Sequence, residues 1–226
     1  MTIPVRSNTV WSPATAPGLV LDFDTGAGVT LVTGKVSQWV DQSANALVAS
    51  QSTDANRPTF SAAPLSIIGS DASRLDIAGM SAPTSATIFV VCSTPSPEPG
   101  NGAYLISGAA GGFGIIESFV GPGVFEWLNG ADRYAFNVSG SGKHLLAVTQ
   151  VNGGALNLYY DGALVSGSPH TAGVTLKSFQ SFFNIIGGTT GGYTGSIMQT
   201  LVFNRILGAD ELSRATAALK ARWGTP

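Results

Sequence analysis

The densest concentration of side chains able to do recognition chemistry is Phe125-Glu-Trp-Leu-Asn-Gly-Ala-Asp-Arg-Tyr134. A pyranose offers a C–H face to an aromatic ring, and hydroxyls to amides, carboxylates and guanidinium groups. An aromatic platform flanked by planar hydrogen-bonding groups is therefore what sugar binding needs. Trp127, Asn129, Asp132, Arg133 and Tyr134 fall around one predicted hairpin tip and supply that set as candidate carbohydrate-binding residues. A plainer reading stands beside this one, in which Asn129-Gly130 is simply a good turn, Trp127 is core, and Asp132 with Arg133 is a solvated pair.

Catalytic patterns are missing, so the expectation is a protein that is not an enzyme. Glycoside hydrolysis needs two carboxylates, about 5–5.5 Å apart for retention or about 6.5–9.5 Å for inversion. Glu117 and Glu126 each stand alone, and Asp22 with Asp24 is only a pair entering the turn Thr25-Gly-Ala-Gly28. His144 and His170 have no Gly-x-Ser-x-Gly elbow to serve. The segment Gly108 to Gly114 has neither the Lys-Ser/Thr nor the following helix of a phosphate loop, and reads as a glycine-rich hairpin. No catalytic residue, metal ligand set or cofactor is assigned. Calcium on Asp22, Asp24 and a nearby Asp41 is a weak alternative, because hard cations want several oxygens.

Composition narrows the partners. The net charge is −2 and no Lys/Arg cluster occurs, which argues against nucleic acid. Hydrophobic residues make up 44%, yet no apolar run approaches the roughly 20 residues of a membrane span, so no membrane insertion is expected. The single cysteine, Cys92, sits in an apolar run and reads as a buried thiol. Residues 1–7 lack the basic and apolar regions of a secretory signal, so synthesis in the cytoplasm without a signal peptide is the expectation.

The elements that must position these groups are mostly strands. With 29 Gly and 12 Pro in 226 residues, the chain reads as short strands joined by turns. Strands are expected at Leu19–Phe23, Val36–Trp39, Pro58–Phe60, Ile88–Cys92, Tyr104–Ser107, Gly114–Phe119, Gly123–Leu128, Tyr134–Val138, His144–Val151, Leu156–Tyr160, Phe183–Ile186 and Ile197–Phe203. They imply two stacked antiparallel sheets. Asp161-Gly162 is a type I′ hairpin signal, which makes a meander of His144–Val151, Leu156–Tyr160 and Ala163–Val165. Along Leu156–Tyr160, Leu156, Leu158 and Tyr160 share a core face, while Asn157 and Tyr159 share one that is at least partly wet. His144–Val151 has little polarity contrast and reads as central, covered on both faces. A closing helix runs from Gly208 to Trp223, with Leu212, Ala215, Leu219 and Trp223 as its docking stripe. Phe179, Phe182, Phe183 and Tyr193 bracket the glycine-rich 187–192, with two or three of the rings in the core. Thr94 to Gly102 is a Pro-rich loop. Residues 1–17 read as an extended N-terminal arm and 18–226 as one domain.

Taken in order, Trp11-Ser-Pro, Leu19-Val-Leu-Asp-Phe-Asp24, Val36-Ser-Gln-Trp-Val-Asp-Gln-Ser43, Asn56-Arg-Pro58, Leu158-Tyr-Tyr-Asp-Gly162, Ile186-Gly-Gly188, Tyr193-Thr-Gly-Ser-Ile197, Phe203-Asn-Arg205 and Lys220-Ala-Arg-Trp-Gly224 carry a resemblance. Over residues 10 to 224 the chain resembles the laminin-G-like jelly-roll domain of the concanavalin A-like lectin/glucanase superfamily, as found in bacteriophage tail and head fibres and phage-like particles. The resemblance implies an all-β, two-sheet antiparallel jelly-roll sandwich with one C-terminal helix. It places Trp11, Trp39 and Trp223 in packing roles. For function it implies a range of sugar-binding, glycan-cleaving and structural modules, set on a virion or phage-like particle, and with the catalytic patterns missing the expectation is a non-catalytic carbohydrate-binding or host-surface-recognition module. Its partners would be a host-surface glycan, other virion proteins through the N-terminal arm, and further copies of itself in a homo-oligomer. A purely structural assembly protein is the alternative, and a glycoside hydrolase a more distant one.

Overall fold

The computed structural model describes residues 11–94, 103–108, 113–117, 124–130, 132–136, 142–171, 175–184 and 192–226. Expectations for residues 1–10 of the arm, the Pro-rich 95–102, the glycine-rich 109–112, the strand ends at 118–119, 123 and 137–138, and the loop 185–191 lie outside them.

Eighteen strands and one helix occur among the described residues. In chain order the first nine are β1 (Leu19–Asp24), β2 (Val29–Val32), β3 (Lys35–Val40), β4 (Val48–Ser50), β5 (Thr59–Ala62), β6 (Leu65–Ile68), β7 (Leu75–Ile77), β8 (Ser85–Thr94) and β9 (Tyr104–Gly108). The rest are β10 (Phe113–Glu117), β11 (Phe125–Asn129), β12 (Asp132–Ala135), β13 (Gly142–Val151), β14 (Ala155–Tyr160), β15 (Ala163–Leu164), β16 (His170–Thr171), β17 (Phe179–Phe182) and β18 (Ser196–Phe203), followed by α1 (Ala209–Trp223).

Pairing divides the strands into two antiparallel layers, as the all-β sandwich expectation requires. The front layer runs β1–β18–β8–β13–β14, with β15 and β16 at the rim of β14. The back layer runs β12–β11–β10–β9–β17–β7–β4–β3–β2. The hairpin β5–β6 joins them, because Thr59 pairs with Lys35 of β3 while Ile67 and Ile68 pair with Ile197 and Ser196 of β18.

Two cores result from alternation along the front strands. Leu146 and Val148 of β13, Ile88 and Val90 of β8 and Val202 of β18 point between the layers. There they meet an aromatic cluster in which Phe23, Trp39 and Phe182 lie 5.1–5.2 Å apart. Leu145 and Ala147 face the other way, with Phe89, Leu201 and Phe203, and this outer face is covered by Ala215, Leu219 and Trp223 of α1. β13 is thus buried on both faces, and α1 docks by the expected stripe, with Leu212 packed at its margin. Cys92 is fully buried in the inner core.

Some elements differ from the sequence reading. The aromatic strand runs Phe179–Phe182, and Phe183, expected to open a strand, takes φ +67° and follows its end, while 185–186 lie outside the described residues. All four rings of that group, Phe179, Phe182, Phe183 and Tyr193, are buried. Strands β2, β4, β6 and β7 are additional. They are only three or four residues long, too short for alternation to mark them. Of the arm, residues 13–15 form a 3-10 turn, Trp11 packs on Phe203 at 6.5 Å, and the carbonyl of Pro17 accepts from Arg205 Nε at 2.9 Å.

Candidate functional site

The five hairpin residues separate once the backbone places them. Trp127 is fully buried in the inner core and its Nε1 donates to Gln150 Oε1 at 2.9 Å, so its ring is not a surface platform. Asn129 is buried too, at the end of the strand that enters the turn at Gly130, whose φ is +73°. Tyr134 is half-buried: its hydroxyl donates to the Thr171 carbonyl at 3.0 Å and its ring lies 4.7 Å from that of His170. It joins the rim of the back layer to β16 of the front. Asp132 and Arg133 are exposed, and Arg133 pairs with Glu126 at 3.5 Å. Trp127 and Asn129 stand two apart on β11 and pair with Tyr134 and Asp132 of β12, so these four share one face, and that face is buried at Trp127 and Asn129.

The carboxylates considered for calcium serve as structural acceptors. Asp41 Oδ1 accepts from the backbone N–H of Asp22 (2.6 Å) and of Ser43 (2.9 Å), and its Oδ2 from Ser43 Oγ (2.6 Å). Asp24 accepts from the Gly26 N–H at 2.8 Å and pairs with Arg222 at 2.6 Å. Asp22 accepts from Gln199 Nε2 at 2.8 Å, and Gln199 Oε1 in turn accepts from Trp223 Nε1 at 2.8 Å. Burial pushes the Asp22 carboxyl up to about 6, against the Gln199 hydrogen bond, which favours ionisation. Among the described residues no group of three His, Cys, Asp or Glu side chains is placed to hold a metal ion.

A concave site lies elsewhere, where α1 crosses the outer face of the front sheet. The cleft between them encloses about 710 Å³, within the usual size of small-ligand sites. One wall is the sheet, with Thr149 of β13, Asn157 and Tyr159 of β14, and Asp161 in the turn that follows. The other is the helix stripe Ala209, Ser213, Thr216, Ala217 and Lys220, beside the docking stripe. Asn157 Nδ2 donates to Thr149 Oγ1 at 3.2 Å. Tyr159 is half-buried, packed against the outer core.

The turn Asp161-Gly162 closes one end of this cleft. Both residues have positive φ, 48° and 88°, as a type I′ hairpin requires. A Cβ on Gly162 would stand 2.8 Å from Thr216 Cγ2, so only glycine permits this approach to the helix. Lys220 Nζ donates to the Asp161 carbonyl at 2.9 Å. The Asp161 carboxylate is occupied by the Leu145 N–H (2.8 Å) and by His144 Nδ1 (3.0 Å), and Tyr160 Oη stands 2.5 Å from the same nitrogen. The cleft thus presents one aromatic ring, an amide, several hydroxyls, and a carboxylate whose two oxygens are already engaged. These residues were not singled out by sequence, although the wet face of Asn157 and Tyr159 was its visible trace.

Comparison with known proteins gives a fold and no family. No family model matches the chain, and no curated protein does. Solved structures do. A Trypanosoma rangeli sialidase in complex with sialic acid superposes with a TM-score of 0.63 at 15% identity, over 93% of this chain and 34% of that one. The botulinum neurotoxin serotype D ligand binding domain in complex with N-acetylneuraminic acid gives 0.63 at 13%, over 92% and 54%. Botulinum neurotoxin type C, described as entering cells through two ganglioside molecules, gives 0.62 at 16%, over 89% and 51%. The chain spans about a third of the sialidase and about half of the toxin chains. At these identities the likeness is one of fold, an antiparallel β-sandwich.

Proposed function

We propose that the chain is a non-catalytic carbohydrate-binding module and that the cleft between α1 and β14 is where the glycan sits. The observation that carries this is the lining: one Tyr ring, Tyr159, set among the amide of Asn157 and the hydroxyls of Thr149, Ser213 and Thr216. Domains of the same fold solved with sialic acid, or described with gangliosides, support the reading by analogy. The absence of catalysis is supported by Asp161 being the sole carboxylate of the lining, with neither oxygen available to a substrate. Most glycosidases use a pair of carboxylates within about 10 Å.

The setting belongs to the same proposal. On the resemblance carried by Trp11 through Asp41, the module serves host-surface recognition on a phage or phage-like particle, attached to other virion proteins through its N-terminal segment. A purely structural assembly component is favoured by one observation. Among the described residues β2 pairs only with β3, and Leu31 and Val32 are exposed at 44% and 42%, an edge that another copy can extend.

The test is binding of purified protein to a glycan array and to intact host cells. Saturable binding weakened at least about tenfold by Asn157→Ala and Tyr159→Ala, and unchanged by Arg133→Ala, is the expected result. Binding insensitive to both cleft variants would refute the cleft. No binding at all, together with concentration-dependent self-association, would favour the assembly role.

A further inference from the structure

From the cleft's shape and charge we infer its ligand class: a neutral, linear oligosaccharide laid lengthwise along α1, as opposed to a single acidic sugar. This rests on the carbohydrate reading above. Three observations lead to it.

The first is length. The helix wall runs from Ala209 to Lys220, which at 1.5 Å per residue is roughly 16 Å. The strand wall runs from Asn157 to Asp161, roughly 13 Å at 3.3 Å per residue. Leu207 packs near the Thr149 end, where its N–H donates to Thr87 Oγ1, and Lys220 reaches Asp161 at the other end. Helix and strand therefore run side by side and make a trough. Ala209, Ser213, Thr216 and Ala217 leave most of the helix wall low, and Leu212, packed at the margin of the outer core, is the one side chain bulkier than Thr that lines it before Lys220.

The second is charge. The titratable groups of the lining are Asp161, Tyr159 and Lys220, and the carboxylate and ammonium offset each other. Facing them from neighbouring elements are His144 of β13, on the Asp161 carboxylate, and Tyr160 of β14, on His144. From the helix, Asp210 and Glu211 lie at the Ala209 end, with Glu211 neutralised by Arg205 at 2.6 Å. Among the described residues the lining carries no net charge, its one ammonium is tied to the Asp161 carbonyl, and Asp210 at the far end repels a carboxylate, so an acidic sugar gains little here that a neutral one lacks.

The third is spacing. Along the strand wall Asn157 and Tyr159 stand at alternate residues, about 6.6 Å apart, and Ser213 and Thr216 add hydroxyls from the helix wall. Polar contacts repeated along a trough suit a repeating ligand, each unit meeting a similar small set. A monosaccharide would meet only one of them. The Gly162–Thr216 approach closes one end, so the chain end enters there and the remainder leaves past Ala209.

The experiment is titration calorimetry with neutral linear oligosaccharides of increasing length, alongside free N-acetylneuraminic acid and a sialylated glycan with its desialylated counterpart. Wild type is compared with Ser213→Arg, an exposed helix position at which arginine preserves helix propensity. The inference expects affinity to rise about tenfold or more from monosaccharide to tri- or tetrasaccharide and then level off. It also expects little dependence on salt, and loss of binding in Ser213→Arg. A sialylated glycan that binds more tightly than its desialylated form, or a monosaccharide that binds as tightly as the tetrasaccharide, with either lost in Ser213→Arg, would overturn the inference and leave the carbohydrate reading standing. Binding to none of the glycans by a variant and wild type that both remain folded would overturn both.

Discussion

Asp22 is a carboxylate that its surroundings push towards the neutral form. It donates no charge to a surface. It lies 7% exposed under the end of α1, and burial raises its carboxyl to about 6 against an ordinary value near 3.8. Because the folded-state pKa is the higher one, the stabilising contribution is complete below about 3.8 and lost as pH rises through about 6. Denaturant midpoints should therefore fall between pH 4 and 6 on this account, and Asp22→Asn, which keeps the acceptor for Gln199, should flatten that slope and raise stability at pH 7.5 by on the order of 1–2 kcal/mol. Glu211 behaves in the opposite sense. Arg205, with a further hydrogen bond from the Gly208 N–H, holds its carboxyl down at about 2, so its contribution is complete above 4.5 and lost as pH falls towards 2. Glu211→Gln should remove that acid-limb dependence without altering the Asp22 window. For Trp127 the expectation is structural. Truncation to Ala empties a fully buried site and removes the hydrogen bond to Gln150, costing about 3–5 kcal/mol in chemical denaturation, with no selective loss of ligand.

Among the elements, the turn at Asp161-Gly162 decides whether hairpin and helix can touch. Gly162→Ala combines a φ of +88° with a Cβ 2.8 Å from Thr216 Cγ2, so a loss of about 1–2 kcal/mol is expected, of which Thr216→Ser should restore the steric part and leave the backbone part. A double-mutant cycle read by thermal unfolding separates the two, and full additivity would show that the contact is not formed. This turn was legible in the sequence because its chemistry is local: positive φ at two adjacent positions selects Asp-Gly. The helix was legible for the same reason, since Leu212, Ala215, Leu219 and Trp223 share one face and Gly224, at φ +66°, ends it. What could not be read was which surfaces meet. Trp127 and Tyr134 pair across neighbouring strands, yet one ring is sealed between the layers and the other joins β12 to Thr171. The cleft needs Asn157 and Ser213 on facing walls, 56 positions apart in sequence, and no pattern within either segment carries that distance.

At the scale of the molecule, the two layers are held in one continuous hydrogen-bonded system by β5–β6, and α1 is fastened at its C-terminal end by Asp24 and Gln199 as well as by its apolar stripe. Severing the Asp24 contact with Arg222→Ala should loosen the end of α1 and thereby the closed end of the cleft. Amide exchange should then quicken across Ala217–Trp223 while the inner-layer strands keep their protection, and uniform protection would show that the salt bridge does not anchor the helix. The position of β18 has a temporal consequence. Its residues 196–203 stand between β1, at 19–24, and β8, at 85–94, with Leu19 opposite Phe203 and Thr87 opposite the same residue. During synthesis the first strand of the front layer waits for nearly the whole chain before it finds a neighbour, and the outer core has no helix to close it until later still. A nascent chain halted before Ser196 has β1 without its neighbour and the β8–β13–β14 part of the front layer open along β8, so its safety during translation depends on how quickly residues 196–226 follow, at about 5–20 residues per second.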